Sequence, residues 1–242
     1  MPEALMTYDQ GSFPSGGLAV VIGASGGIGH ALQLELASSA SFEKVVGFSR
    51  SADGFDLTDE ATIARAASAV ATMGMPLRLV ILATGLLHEG DMQPEKSLRQ
   101  LKPEHMARSF AINAIGPILV AKHFLPLLSR EGKAVFAAVS AKVGSIEDNH
   151  LGGWYGYRAA KAALNQFIRT ASIELRRTHP DAICVALHPG TVATSLSAPF
   201  RSSNHAAVEP AFAAERMLRV IDGLRPADTG VFFDHTGLPL PW

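Results

Sequence analysis

The chain is short of cysteine, of charge and of aromatic residues. Cys184 is the single cysteine among 242 residues, which excludes an internal disulfide and a cysteine-based zinc site. Charged residues make up 18% and nearly cancel, 21 Lys+Arg against 22 Asp+Glu, for a formal net charge of −1. Such a balance carries no broad field to draw in nucleic acid or an anionic membrane, so neither partner is expected. No unbroken apolar run reaches the roughly 20 residues that cross a bilayer. The first residues contain Glu3 and Asp9 and lack a basic cluster followed by an apolar stretch, so no signal peptide is expected. The nine histidines show no pair at metal spacing with an acid, and no metal is expected. A cytoplasmic location follows as an expectation.

What the chain does have is apolar material for a core, 48% of its residues. Residues 1–17 are polar and rich in Gly, Pro and Ser, and read as a loose leader. Beyond them, apolar runs at 18–22, 44–48, 77–83, 134–139, 183–187 and 231–233 read as strands. Helical patterns lie between them. One spans 59–70 with Thr58 as N-cap, one spans 103–128 with breaks at Pro117 and Pro126, and others span 154–177 and 209–224. Strands that are solidly apolar and separated by helices imply a parallel sheet covered on both faces. The expectation is α/β: a single doubly wound Rossmann-type domain over 1–242, with a parallel sheet of about seven strands. Ligands in such sheets sit beyond the carboxyl ends of the strands, here just after residues 22, 48, 83, 140 and 188.

The first of these turns holds Gly23, Gly27 and Gly29, in the spacing G-x-x-x-G-x-G. A helix N-terminus accepts a pyrophosphate through free N–H groups, and missing side chains let backbone come close. A glycine-rich turn can also be purely structural. Its place between the first strand and a helix resembles the short-chain dehydrogenase/reductase family. That resemblance implies dinucleotide binding at Gly23, Ser25, Gly27, Ile28 and Gly29. The family's usual Thr before the first glycine is Ile22 here.

The second strand ends in Ser49-Arg50, with no acid. A carboxylate there would bind a ribose 2′-hydroxyl; an arginine can instead make charge-assisted bonds to a 2′-phosphate. Within the family this arrangement implies NADP (NADPH), with NAD less favoured. An ordinary solvated arginine is the other reading. Asp56-Leu57 matches the family's pair beside the adenine ring. Ala83-Thr84-Gly85 stands where the family has Asn-Ala-Gly, which leaves backbone contacts to hold the cofactor.

Tyr157 and Lys161 fall four apart on one helix face. A nearby cation is expected to favour the phenolate and lower the tyrosine pKa. The resemblance implies that Tyr157 protonates a carbonyl while Lys161 tunes it and holds the nicotinamide ribose. The family's serine stands three residues before a glycine, and counting back from Gly144 gives Ala141. Ser140 is the first candidate and Ser145 the second. Asn113 matches an asparagine that supports a water beside the lysine; a polar group facing out is the alternative. Pro189, Gly190, Val192 and Thr194 match a segment contacting the nicotinamide and a phosphate. Residues 195–208 read as a substrate lid.

The run Val143-Gly144-Ser145-Ile146, with Asn149, 152–155, Tyr157-Arg158 and 162–165, is similar to a narrower branch of C-factor-like and sniffer-like carbonyl reductases. The resemblance implies hydride transfer between NADP(H) and a small-molecule carbonyl or alcohol substrate. It also implies a homodimer or homotetramer built through long helices, with the Phe167/Ile168 face contributing. A regulatory protein that binds NADP without turnover is the alternative. A reductase of carrier-bound thioesters, with Arg201 as its basic contact, is a third reading.

Overall fold

The computed structural model describes residues 11–200 and 207–242. Six parallel strands form one sheet in the order β2-β1-β3-β4-β5-β6. They are β1 (Leu18–Ile22), β2 (Lys44–Phe48), β3 (Leu77–Leu82), β4 (Ala134–Val139), β5 (Ala182–His188) and β6 (Phe232–Asp234). About seven strands were expected; among the described residues there are six, one for each apolar run of the sequence. The helices are α1 (Gly27–Ser38), α2 (Arg50–Asp53), α3 (Glu60–Ala71), α4 (Pro103–Phe110), α5 (Gly116–Phe124), α6 (Tyr155–Leu175) and α7 (Pro210–Gly223).

The strands are apolar on both sides because both sides are covered. Alternate residues point to opposite faces. Leu18, Val20 and Ile22 join Val80, Phe136 and Phe232 in a core layer under α3, α5 and α6. Ala19 and Val21 join Leu79, Ile81, Val135 and Ile183 in a second layer under α1 and α7. On α6, Leu164, Ile168 and Leu175 are buried in the first layer. Ile168 therefore faces the core and is closed to a partner.

The stretch 103–127 is long and apolar enough to span a membrane by length and composition, which the sequence reading did not anticipate. Here it is a core element: Val120, Ala121 and Phe124 are buried against the sheet. It is interrupted by a π-helical segment, Ala111–Ile115, before Pro117 restarts it as α5. At α3 the N-cap is Asp59, whose side chain accepts from Ala61 N. Thr58, the expected cap, is instead held by Asp56, whose Oδ1 accepts from both its N–H and its hydroxyl.

The expected loose leader is not loose over its described part. Phe13 is buried and packs on Phe42 with ring centroids 5.3 Å apart. Ser12 bonds Asp222 through both its N–H and its hydroxyl. Residues 1–10 lie outside the described residues, as does the part of the expected lid from 201 to 206, including Arg201.

The strand order reverses between β1 and β3, which open a crevice beyond their carboxyl ends. Gly23 follows β1 with φ +90°, and a Cβ there would lie 2.7 Å from Ala83 O. Gly29 lies closer still, where a Cβ would run into the Gly23 carbonyl. Only glycine lets the two turns come together.

Candidate active site

Two adjoining cavities fill this crevice. The larger, about 310 Å³, is lined by Gly23, Ser25, Ser49, Arg50, Asp56 and Leu57, and reaches Ala83–Gly85. The smaller, about 150 Å³, shares Ala83, Thr84 and Gly85 and continues past Ser140, Tyr157 and Lys161 to Pro189, Gly190, Val192 and Thr194. Ile28 lines it too. Gly27 approaches Thr194 so closely that a Cβ would lie 2.9 Å from its methyl. Most residues singled out in the sequence thus meet along one continuous cleft.

The cleft wall favours an anion at two places. The N-terminus of α1 carries no side-chain cap, so its first N–H groups remain open. Arg50 makes no salt bridge among the described residues, while its charge lowers the pKa of Asp56 and of Glu89. The largest causes of those shifts are hydrogen bonds from Thr58 and from Arg108 respectively. Ser49 caps α2 by accepting from Ala52 N at 3.2 Å, which leaves its own proton free to donate. The sequence reading missed the outer wall of this cavity: Phe55, Ile112 and the Glu89–Arg108 ion pair.

Lys161 is 2% exposed and donates from Nζ to Val139 O at 3.0 Å. Burial pushes its pKa down to about 8. Its ammonium stands 5.9 Å from the Tyr157 ring centroid. Tyr157 keeps some surface toward the cavity, yet the packing around it desolvates the phenolate and raises its pKa. This reverses the expected lowering. The lysine charge is spent on a backbone carbonyl, and desolvation dominates at the phenol.

The serine candidates separate. Ser140 lines the small cavity, but its hydroxyl donates to Asn165 Oδ1 at 2.6 Å. Ser145 lines a different cavity, with Val143, Tyr155 and Arg158. Its hydroxyl donates to Trp242 O at 3.3 Å, so it is not brought to the site. The register is set by Gly144, where a Cβ would lie 2.8 Å from the Cβ of Lys161. With that glycine locked to α6, Ala141 lines the cavity at the position where the spacing called for a serine.

Asn113 sits in the π-helical segment, wholly buried. Its amide accepts from Leu86 N at 2.9 Å and donates to Leu86 O at 2.7 Å. It therefore ties down the turn after β3, against the reading of a group facing out. His188 also lines the small cavity, and burial, reinforced by His235, pushes its pKa down to about 4.

The entrance to α6 is held by Glu95, which is buried. Its carboxylate accepts from Gly156 N at 3.1 Å, and its backbone carbonyl accepts from Trp154 N. Trp154 takes a left-handed conformation, φ 53°, the single non-glycine residue to do so among those described. Its ring meets Tyr157 at 6.3 Å and Phe200 at 5.4 Å. Glu95→Ala strands the buried N–H of Gly156, one residue before Tyr157, and should cost about 1–3 kcal/mol in urea unfolding. An unchanged midpoint would show that the carboxylate carries no such bond.

A family model described as short chain dehydrogenase matches residues 17–205. The chain belongs to this family. It is 42% identical over 138 residues to the C-signal of Myxococcus xanthus, covering 57% of this chain and 78% of that protein. Its fold is similar to the carbonyl reductase Sniffer of D. melanogaster, with a TM-score of 0.81 and 21% identity over 95% of this chain and 100% of that one. An NADPH-bound carbonyl reductase from chicken fatty liver is similar at a TM-score of 0.80 and 26% identity, covering 96% of each chain. The C-factor-like branch read from the sequence is thus shown for this member of the short-chain dehydrogenase family, and the likeness to Sniffer is one of fold.

Proposed function

We propose that this short-chain dehydrogenase transfers a hydride between NADP(H) and a small carbonyl or alcohol substrate, with Tyr157 as general acid or base. One observation carries the reading: Tyr157 and Lys161 line a small cavity that opens through Thr84 and Gly85 into the glycine-walled cleft.

The residues present suit the dinucleotide. The open N–H groups of α1 and the bare Gly23–Gly29 backbone accept a pyrophosphate. Arg50, with the free proton of Ser49, would hold a 2′-phosphate, and Asp56 and Leu57, in the same cavity, would hold the adenine. Thr84 Oγ1 is buried without a partner at the seam of the two cavities, a group that invites a polar ligand atom. Pro189, Gly190, Val192 and Thr194 line the small cavity and would hold the nicotinamide end. The bound dinucleotide supplies the hydride.

The rest is the chain's own chemistry. A phenol whose pKa is raised stays protonated at neutral pH and is ready to donate. The oxygen of a carbonyl being reduced becomes a much stronger base than phenolate, so the proton moves from Tyr157 to it. The Lys161 ammonium beside the ring stabilises the charge left behind. Asn113 and Glu95 hold the turn and the helix start that frame this pair.

Purified protein should consume NADPH with a panel of aldehydes and ketones. Binding of NADPH without turnover on any of them would favour the regulatory reading. Arg50→Ala removes a charge-assisted contact worth about 1.5–3 kcal/mol, so the KM for NADPH should rise by roughly 10- to 100-fold and that for NADH should stay put. Equal effects on both cofactors would assign Arg50 to the surface.

A further inference from the structure

The small cavity poses a problem of donors. A carbonyl oxygen gaining charge is best held by a second hydrogen bond besides the one from the acid. Ala141 occupies the serine position and offers none. Ser140 has one proton, and it goes to Asn165 Oδ1 at 2.6 Å. Lys161 is engaged with Val139 O. Ser140 thus has a hydroxyl in the right cavity that points its proton the wrong way.

The other end of that hydrogen bond is unbalanced. Asn165 is 2% exposed, and its Nδ2 is buried with no acceptor. An amide in hydrocarbon with two unused donors is costly. Oxygen and nitrogen of an amide have nearly the same shape, so a half-turn of the amide exchanges them without moving the backbone. After that turn Nδ2 donates to Ser140 Oγ, one stranded donor is satisfied, and the Ser140 proton is released. The hydroxyl lines the cavity, so a carbonyl oxygen there is an acceptor for it. Asn165 also lies four residues beyond Lys161, as Lys161 does beyond Tyr157, so the three share one stripe of α6.

We propose that Asn165 is a positioning residue that aims the Ser140 proton at the substrate carbonyl by turning its amide nitrogen toward Ser140 Oγ. The pair does the work of the serine that Ala141 lacks. This rests on the oxidoreductase reading above and adds to it a switchable donor.

The test uses the full chain with NADPH and a carbonyl it reduces. Asn165→Asp keeps the shape and in its ionised form can only accept, so it traps the Ser140 proton. Its kcat should fall at least about tenfold, toward the level of Ser140→Ala, with KM for NADPH unchanged. The double variant Ser140→Ala/Asn165→Asp should lose nothing further, because both changes remove one donor. Asn165→Ala, which leaves Ser140 free to rotate, should retain more kcat than Asn165→Asp. Full activity in Asn165→Asp, or additive losses in the double variant, overturns the assignment. Absence of turnover in the wild type would instead count against the oxidoreductase reading. Neutron diffraction from the NADPH complex with a ketone inhibitor reads the amide independently of turnover. Deuterium on Nδ2 directed at Ser140 Oγ supports the assignment, and deuterium on Ser140 directed at Asn165 overturns it.

Discussion

Tyr157→Phe should lower carbonyl reduction by about 10²–10⁴-fold while NADPH still binds, because it removes one proton and almost no volume. The ring keeps its contacts with Trp154 and with the Lys161 ammonium, both of which involve the ring and not the hydroxyl. The loss should therefore appear in kcat. It should persist across pH, since the phenol sits above its ordinary pKa and is protonated throughout the neutral range. Stopped-flow NADPH oxidation and fluorescence titration of the cofactor separate the two quantities. A variant that reduces carbonyls at more than about a tenth of the wild-type rate would assign the proton to another group. His188 in the same cavity is then the next candidate, since its depressed pKa leaves it neutral and able to donate from one ring nitrogen.

The parts of this molecule that were legible in its sequence are those written as runs. Six apolar stretches became six strands because a parallel sheet covered on both faces takes apolar residues through most of its length. Glycines that separate two backbones were legible as well, because only that residue tolerates the approach at Gly23 and Gly29. Positions settled by a single contact were not. Phe13 looked like one aromatic in a polar stretch, and its partner Phe42 lies across a strand. Thr58 and Asp59 are both good caps, and the choice fell to Asp59 once Asp56 had captured Thr58. The serine register depends on where Gly144 meets Lys161, a contact between residues 17 positions apart. Phe55, Glu89 and Arg108 reach the cleft from separate loops and a helix, with no shared pattern. Asn165 could have been found, since Tyr157, Lys161 and Asn165 repeat every fourth residue on the face of α6 that also carries Leu164 and Ile168, polar residues set into a buried apolar stripe. The direction of the tyrosine shift could not, because it depends on how deeply packing desolvates the phenol and on where the lysine spends its charge.

Lys161→Met should abolish most of the activity and yet make the protein more stable at neutral pH. The amine is 2% exposed, and its pKa falls from the ordinary 10.5 to about 8 because burial opposes the charge. That gap corresponds to about 3 kcal/mol. The sign follows from proton counting. Between about 8 and 10.5 the unfolded chain holds a proton that the folded one has released, so folding becomes more favourable as pH rises through that window. Below about 8 both states are protonated and the folded state bears the whole penalty. Methionine fills much the same volume without charge. It forfeits the bond to Val139 O, which returns about 1 kcal/mol of the gain. Urea unfolding at pH 7 should therefore find the variant more stable by about 1–3 kcal/mol, with kcat reduced at least about 10²-fold. At pH 10.5 the stability difference should shrink toward zero or reverse. Lys133, also held down to about 8 by burial, titrates alike in both proteins and drops out of the comparison. A variant less stable than wild type at pH 7 would mean that the buried ammonium is repaid in full by its surroundings. A cost to stability that is recovered only as catalysis is what an acid–base site built around a desolvated cation requires.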